Sequence, residues 1–186
     1  MVPAGSRYDA CMDTPITADE LKSLLHLQPH PREGGWFRET WRAGEVLPGH
    51  ALPARYAAAR SGERAAGTAI YYLLEPNSFS KMHRLQSDEV FHFYLGDPVE
   101  MLQLLPDGSG RRLVLGSDVA AGASLQVVVP QGVWQGSRLV SGGRLALLGC
   151  TVSPGFEYGD YESGRREELI RGWPEWRDLI TALTHG

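Results

Sequence analysis

The middle of this chain is a series of short segments in which apolar and polar positions alternate with the two-residue period of a β-strand. Turn residues such as Gly96-Asp97-Pro98 and Asp107-Gly108 separate these segments. In chain order, the predicted strands span residues 35–43, 67–74, 79–84, 88–95, 98–105, 111–115, 124–130, 133–139 and 144–152. Many short strands at this spacing predict an all-β sandwich or barrel rather than alternating βαβ units.

Helical patterns are predicted at both ends of the strand region. Residues 17–20, Thr-Ala-Asp-Glu, form a capping box that predicts a short helix ending before the prolines of residues 29–31. Near the C-terminus we expect one short helix at 167–170 and a second from Pro174 to about Leu183. Apolar residues of the second helix recur at helical spacing, so that helix should pack on the barrel.

Length and composition indicate one domain with its own core, because the chain has 186 residues of which 42% are hydrophobic. We expect residues 1–15 to be unstructured, residues 16–186 to form a single domain, and residues 46–66 to be an irregular loop. Two cysteines cannot make a disulfide framework. Cys150 is expected to be a buried small hydrophobe, and we expect no catalytic role for it or for Cys11.

Charge and hydropathy exclude some classes of partner. The net charge of −4 disfavours a nucleic acid, which requires clustered Lys and Arg. No apolar stretch approaches the roughly 20 residues that span a bilayer. The N-terminus lacks the basic and apolar regions of a signal peptide. These features predict a soluble cytoplasmic protein that binds neither nucleic acid nor membrane.

The segment 79–96 carries the strongest candidate chemistry, because it places His83 and Glu89 on neighbouring predicted strands. An imidazole and a carboxylate that converge inside a barrel could hold a divalent cation or act as an acid/base pair. By strand alternation, Glu89, Phe91, Phe93 and Leu95 share one face. His92 then points to the other face, unless a β-bulge intervenes.

A second candidate segment, 124–139, runs through a tight turn at Pro130-Gln131-Gly132 into a new strand that carries Gln135. The Gln135 amide could face His83 and Glu89 and offer an oxygen to a hard cation or a hydrogen bond to a substrate. Both segments together resemble the two paired motifs of the cupin superfamily, through His83, Glu89, Gly96, Pro130 and Gly132. Leu85 and Gln135 stand where that superfamily usually carries its other two histidine ligands.

Further blocks resemble the cupin-5 branch over about residues 18–183. They are HPREGGWFRETWR at 30–42, TAIYYLL at 68–74, the segment 79–101, VVVPQGVWQ at 127–135 and LLGCTVSPGFEYGDYE at 147–162. The resemblance implies a double-stranded β-helix, the RmlC-like jelly-roll barrel of cupins, with a short N-terminal helix and C-terminal helices. It also implies a homodimer and a pocket in one barrel mouth.

The first functional hypothesis is a protein that binds a small polar or sugar-like ligand, with isomerase or epimerase activity. His83 would be the general base or acid, oriented by Glu89, and Tyr71 or Tyr72 would be the tyrosine acid that cupin epimerases use. The predicted ligand-binding residues are Gln135, Phe91, Arg38 and Glu39. One alternative is a binding or sensing module without chemistry. Another is a metal-dependent enzyme with the reduced ligand set His83, Glu89 and Gln135, in which a divalent metal at low occupancy is the cofactor considered.

Two loop segments are expected at the rim of the barrel. Gly34-Gly35 permits a tight bend, which could make residues 30–35 a lid or rim segment. After the Pro154-Gly155 turn, Phe156 and Tyr158 could line the mouth. The carboxylates of residues 157–162 are expected to form a solvated rim.

Overall fold

The computed structural model describes residues 15–56 and 63–185. Residues 1–14, which make up most of the segment predicted to be unstructured and include Cys11, lie outside the described residues. The larger sheet contains, in spatial order, β1 (Gln28–Pro29), β2 (Trp36–Arg42), β5 (Thr68–Leu74), β12 (Ala146–Ser153), β7 (Asp88–Gly96) and β10 (Gln126–Val129). The second sheet contains β13 (Glu162–Ser163), β6 (Phe79–Arg84), β11 (Trp134–Leu139), β8 (Val99–Leu104) and β9 (Gly110–Leu115).

The main core lies between these two sheets. Side chains on the inner faces of β5, β7, β10 and β12 pack against those of β8 and β9, and every strand pair in both sheets is antiparallel. Tyr72, Phe91 and Leu148 from one sheet and Val99 and Met101 from the other are each at most 2% exposed. This arrangement confirms the all-β prediction, and each of the nine predicted strands is present within two residues of its expected bounds.

The region 46–66 differs from the irregular loop predicted for it. Strands β3 (Val46–Leu47) and β4 (Arg64–Ala65) form a two-stranded sheet, with short 3-10 turns at Gly49–Ala51 and Ala54–Tyr56. Strands of two residues carry too little pattern to be recognised from sequence. Tyr56 and Arg64 are both buried, so the described parts of this segment, 46–56 and 63–66, pack against the barrel.

Three short helices cover the outside of the sheets. Helix α1 (Ala18–Leu24) begins at the predicted capping box, in which Thr17 and Glu20 bond to each other's backbone N–H. Its Leu21 packs on the outer face of the larger sheet, beside Leu73 and Leu147. Helices α2 (Arg166–Gly172) and α3 (Arg177–Ala182) pack on the second sheet through the predicted apolar stripe. Within 15–56 and 63–185, no helix has the length and apolar character to cross a membrane.

Among the described strands, three β-bulges decide which side chains face inward, and the first lies on β2, where the pairing with β5 skips Thr40. On β6, Ser80 and His83 pair with Ser137 and Gln135 of β11, so three residue steps of β6 oppose two steps of β11. The extra residue lets Ser80 and His83 point to the same side in spite of their odd spacing. On β7, the pairing with β12 skips Tyr94, and Leu95 therefore packs in the outer cluster with Leu145 rather than sharing the face of Glu89 as predicted.

Candidate functional site

A cavity of about 100 Å³ lies at one mouth of the barrel. Its wall combines apolar and ionisable side chains. They are His30, Glu33, Phe37, Glu39, Arg42, Thr68, Ile70, Leu85, Glu89, Cys150, Val152, Phe156, Glu157 and Tyr158. A buried space of this size holds several water molecules or a small ligand.

Glu89 projects into this wall from the inner face of β7, where strand alternation also turns Phe91 inward. It is 6% exposed. The Gln135 amide Nε2 donates a 2.6 Å hydrogen bond to Glu89 Oε2. Because a carboxylate oxygen only accepts, the amide atom in this bond must be the nitrogen, which fixes the orientation of the Gln135 amide. The other amide atom, Gln135 Oε1, is buried and has no hydrogen-bond partner.

Glu33 reaches the same wall from the turn between β1 and β2. The carbonyl of Glu33 accepts from Lys81 N–H at 3.0 Å, so the turn is tied to β6. Ser80 Oγ donates to Glu33 Oε2 at 3.2 Å. Gly34 and Gly35 follow with φ of 100° and 69°, which confirms the tight bend and explains the need for glycine there. The Glu33 side chain is 13% exposed, and we call it and the more deeply buried Glu89 the buried carboxyl pair.

Two histidines flank Glu33 in opposite tautomers. His30 Nδ1 accepts from Glu33 N–H at 2.9 Å, so a neutral His30 carries its proton on Nε2, which lies 3.8 Å from Glu33 Oε1. His83 Nδ1 lies 2.7 Å from the Lys81 carbonyl and must donate to it. His83 Nε2 then holds a lone pair, 3.6 Å from Glu33 Oε1, and has no hydrogen-bond partner.

Burial shifts the acid strength of each of these groups. Desolvation raises the pKa of Glu89 to about 7, with repulsion from Glu33 adding to the effect and His83 and Gln135 opposing it. Desolvation also raises the pKa of Glu33 and lowers the pKa values of His83 and His30. Near neutral pH both histidines are therefore neutral, and Glu89 is present in both its protonated and its ionised form.

The structure brings His83, Glu89 and Gln135 together, but in two layers. Glu89 lies in the cavity wall, whereas His83 and Gln135 are 1% exposed and lie behind the wall, opposite each other on β6 and β11. Tyr161 stacks on the His83 ring with centroids 5.0 Å apart, which closes this second layer.

The other predicted site residues are divided between the inner and outer faces. Glu39 lies in the wall, and Phe91 is part of the barrel core. Tyr72 is buried, and its hydroxyl donates to the Gly34 carbonyl at 2.8 Å. Tyr71 and Arg38 pair across β5 and β2 and point to the outer face, away from the cavity, because strand alternation separates them from Tyr72 and Glu39.

His92 also lies on the outer face, as strand alternation predicted. Its ring bonds to Thr151 and Gln126, and it stacks with Tyr94. The bulge at Tyr94 comes after His92 along β7, so it does not turn His92 inward.

The rim segment after Pro154 is only partly solvated. Phe156 and Tyr158 line the mouth as predicted. Glu157 also lines it and pairs with Arg42 at 3.0 Å. Asp160, in contrast, is 6% exposed and pairs with the buried Arg64 at 2.6 Å, because the β3–β4 region folds over it.

Sequence reasoning did not assign Glu33, His30 and Tyr161 to the site. The first two lie in the turn at 30–35, where strand periodicity gives no information about direction. The sequence did contain one indication. Glu33 directly precedes Gly34-Gly35 and follows two prolines, which restrict the backbone conformation of this segment. Tyr161 follows a loop whose course depends on Arg64.

The side chains present do not fit the metal site that the cupin motif implies. Leu85, which stands at one ligand position, is buried and apolar. At another position, Gln135 presents its NH₂ group to Glu89. Across the described parts of the chain, no three His, Cys, Asp or Glu side chains are placed to hold a metal ion.

Comparison with known proteins assigns the fold to a family. The family model Cupin_5, which describes a branch of the cupin superfamily (DUF985), matches residues 19–164 of this chain. An uncharacterized protein of Saccharomyces cerevisiae, YML079W, is 29% identical over 165 residues, which cover 86% of this chain and 81% of the yeast protein.

Two solved structures are similar along nearly their whole length, with 31% sequence identity and coverage of 92% of this chain in each case. A hypothetical protein from Leishmania major superposes with a TM-score of 0.81 over 100% of its chain. Protein SO0799 from Shewanella oneidensis superposes with a TM-score of 0.79 over 99% of its chain. The predicted resemblance is thus confirmed, and the chain belongs to the Cupin_5 family of the cupin superfamily.

Proposed function

We propose that this protein binds a small polar, sugar-like ligand in the barrel mouth and isomerises or epimerises it by proton transfer. The observation that supports this most is the buried carboxyl pair in the wall of the cavity. Burying carboxyl groups away from water is unfavourable, and such groups with perturbed pKa values are common at functional sites.

Glu89 is the acid/base group in this proposal. A pKa near 7 makes both its protonated and its ionised forms available at neutral pH, as efficient general acid/base catalysis requires. As a carboxylate it takes a proton from one position of the ligand, and as a carboxyl it returns the proton. The net reaction is a rearrangement, so no oxidant, reductant or other co-reactant is consumed.

His83 and Gln135 are positioning residues here, which reverses the roles of His83 and Glu89 expected from the sequence. Gln135 holds the Glu89 carboxyl by its hydrogen bond. His83 lies beside Glu33, and its unpaired Nε2, 3.6 Å from Glu33 Oε1, places a hydrogen-bond acceptor next to that carboxyl group. Replacing either residue should change the pH dependence of turnover, while ligand binding should be retained.

A binding or sensing module without chemistry is the second candidate. It is favoured by the position of the tyrosines, because Tyr71 faces outward and the Tyr72 hydroxyl already donates to Gly34. The histidine–tyrosine pair of cupin epimerases is therefore not assembled from these residues. Tyr158 is the tyrosine that does line the cavity.

The experiment that tests the proposal begins with a thermal-shift screen of small polyols, sugars, amines and acids against chelator-free protein. Each compound that raises the melting temperature is then incubated with the protein in D₂O and followed by NMR. We expect a binding compound to exchange a carbon-bound proton for deuterium or to rearrange, and Glu89→Gln to stop this while Glu162→Gln does not. Glu162 is a suitable control because it is exposed and pairs with Arg84 outside the cavity.

The other outcomes of this experiment are decisive as well. Binding without exchange or turnover would establish the non-catalytic module. Stoichiometric metal in the purified protein, lost in His83→Ala, would favour the metal-dependent alternative with His83, Glu89 and Gln135. Absence of binding by every compound class would contradict the proposal. We also propose that the protein acts in the cytoplasm as a homodimer.

A further inference from the structure

The polar groups around the cavity contain more hydrogen-bond acceptors than donors. Ionised carboxyl groups only accept. Among the described residues, Ser80 donates to Glu33 and Gln135 donates to Glu89, with the Cys150 thiol as a further, weak donor to Glu89. Behind the pair, His83 Nε2 and Gln135 Oε1 are two more acceptors, both at 1% exposed residues and both without a partner. The last two lie behind the wall, so a ligand that supplies donors would satisfy the part of this surplus that faces the cavity, on Glu33 and Glu89.

The charges in the wall are unbalanced in the same direction. Arg42 is the one Lys or Arg among the described wall residues, and it is already engaged by Glu39 at 2.9 Å, Glu157 at 3.0 Å and the Phe156 carbonyl at 3.2 Å. No arginine or lysine of the described wall is therefore left to neutralise Glu33 and Glu89. When Glu33 and Glu89 are ionised, this arrangement repels an anionic ligand and attracts a cationic one.

Aromatic rings complete the surroundings of the pair. Phe37 lies with its ring centroid 4.6 Å from that of His30, and Phe156 and Tyr158 pack edge to face at 5.1 Å. All four rings lie in the cavity wall. Aromatic faces beside carboxylates form the usual surroundings of a bound organic cation.

We infer that the ligand carries a protonated amine, which lies against Glu33 and Glu89 and donates to their free oxygens. An ammonium group fits because it has three donors, no acceptor and one positive charge. This inference rests on the proposed binding function and specifies the chemical class of the ligand as a small amine, such as an amino sugar. It predicts that a sugar acid or sugar phosphate is rejected.

Calorimetry with charge-matched compounds tests this inference on the full-length protein. One series is glucosamine, glucose and glucuronate, and a smaller one is ethanolamine, ethylene glycol and glycolate. We expect each amine to bind at least about tenfold more tightly than its neutral partner, because it forms charge-assisted hydrogen bonds, and each acid to bind most weakly. The two series separate the effect of charge from that of size.

Isosteric variants locate the effect. Glu33→Gln and Glu89→Gln should each weaken amine binding by about 30-fold or more, as expected when one partner of a buried charge pair is removed. They should change binding of the neutral compound much less, and Glu162→Gln should change neither. The wild-type comparison stands even if a variant fails to fold.

The outcomes distinguish this inference from the proposed function. If the acids bind as tightly as the amines or more tightly, the inference is overturned and the binding function survives. If neutral compounds bind equally well and the glutamine variants have no effect, the inference also fails. If no compound of any charge binds, both are contradicted.

Discussion

Glu89 is buried beside a second carboxyl group and without a lysine or arginine of the described cavity wall to neutralise it. Such a carboxyl is stabilised in its protonated form, and its acid strength reports directly on its surroundings. Gln135 moderates the effect by donating to Glu89, while the nearby Cys150 thiol keeps its proton because burial raises its pKa well above the ordinary value. The raised pKa of Glu89 therefore affects how the stability of the protein depends on pH.

Replacing Glu89 by glutamine should change how stability depends on pH. Because the pKa of Glu89 is raised from 4.5 to about 7, the folded protein retains a proton that the unfolded chain releases between these values. The free energy of unfolding of the wild type should therefore fall relative to that of Glu89→Gln as pH rises from 4.5 to 7, by about 3 kcal/mol. Above pH 7 the difference should stay constant.

Chemical denaturation of both proteins at pH 5 and pH 8 measures this difference. The lowered pKa values of His30 and His83 act in the opposite direction, since the unfolded chain binds more protons below pH 6.5. Both histidines are present in both proteins, so most of their contribution cancels; loss of the Glu89 charge also lowers the pKa of His83 further. Glu162→Gln is the control and should follow the wild type. A difference between Glu89→Gln and wild type that does not vary with pH would contradict the assignment.

At the scale of elements, the site depends on irregularities in strands and turns. The bulge on β6 turns Ser80 and His83 to the same side, and the Gly34-Gly35 bend directs Glu33 to the cavity. A Cβ added at Gly34 would lie 2.5 Å from the Phe79 carbonyl oxygen, in addition to the strain of a positive φ. The turn and the first residue of β6 are thus packed without space between them.

Gly34→Ala should therefore damage both the fold and the site. We expect it to lower the free energy of unfolding by about 2 kcal/mol or more, because backbone strain and a steric clash combine. Since the turn must shift, Glu33 should move and amine binding should weaken. Gly44→Ala is the matched control, because a Cβ there meets nothing within 4 Å and the residue has no positive φ. Equal stability of the two variants would show that the turn is not constrained as described.

The sequence predicted the regular elements well and the irregular ones poorly, for a physical reason. Alternation and turn residues located the strands that carry Glu89 and Gln135, and the motif spacing identified His83. Bulges and turns have no period in the sequence. The outward orientation of the Leu95 side chain and the position of Glu33 in the cavity wall could therefore not be predicted from a pattern. The burial of Asp160 depends on Arg64, which is distant in sequence and belongs to a segment that composition alone described as a loop.

For the whole molecule, the outer face of the larger sheet carries exposed apolar side chains. Tyr94, Val128 and Trp41 are exposed there by 51%, 51% and 50%. Exposed apolar groups on one sheet face commonly mark an interface between proteins. The edges of an open β-sandwich also need covering, which a second copy of the chain can do, so both features support the proposed homodimer.

Light scattering during size-exclusion chromatography should therefore give twice the chain mass of 20.4 kDa. Val128→Glu should shift the protein toward the monomer, because it places a charge in the proposed apolar interface. Glu162→Gln again serves as the control. A wild-type mass equal to that of one chain would contradict the dimer and would leave the cavity assignment unaffected.

The most direct test of the central claim is a ¹³C NMR titration of the Glu89 carboxyl carbon, assigned by its loss in Glu89→Gln. The claim is that Glu89 and Glu33 are buried together in the cavity wall, so the titration midpoint should lie near pH 7. In Glu33→Gln the midpoint should move to lower pH, because the repulsion between the two carboxyl groups is gone. A midpoint at the ordinary value of 4.5 that does not respond to Glu33→Gln would contradict the account.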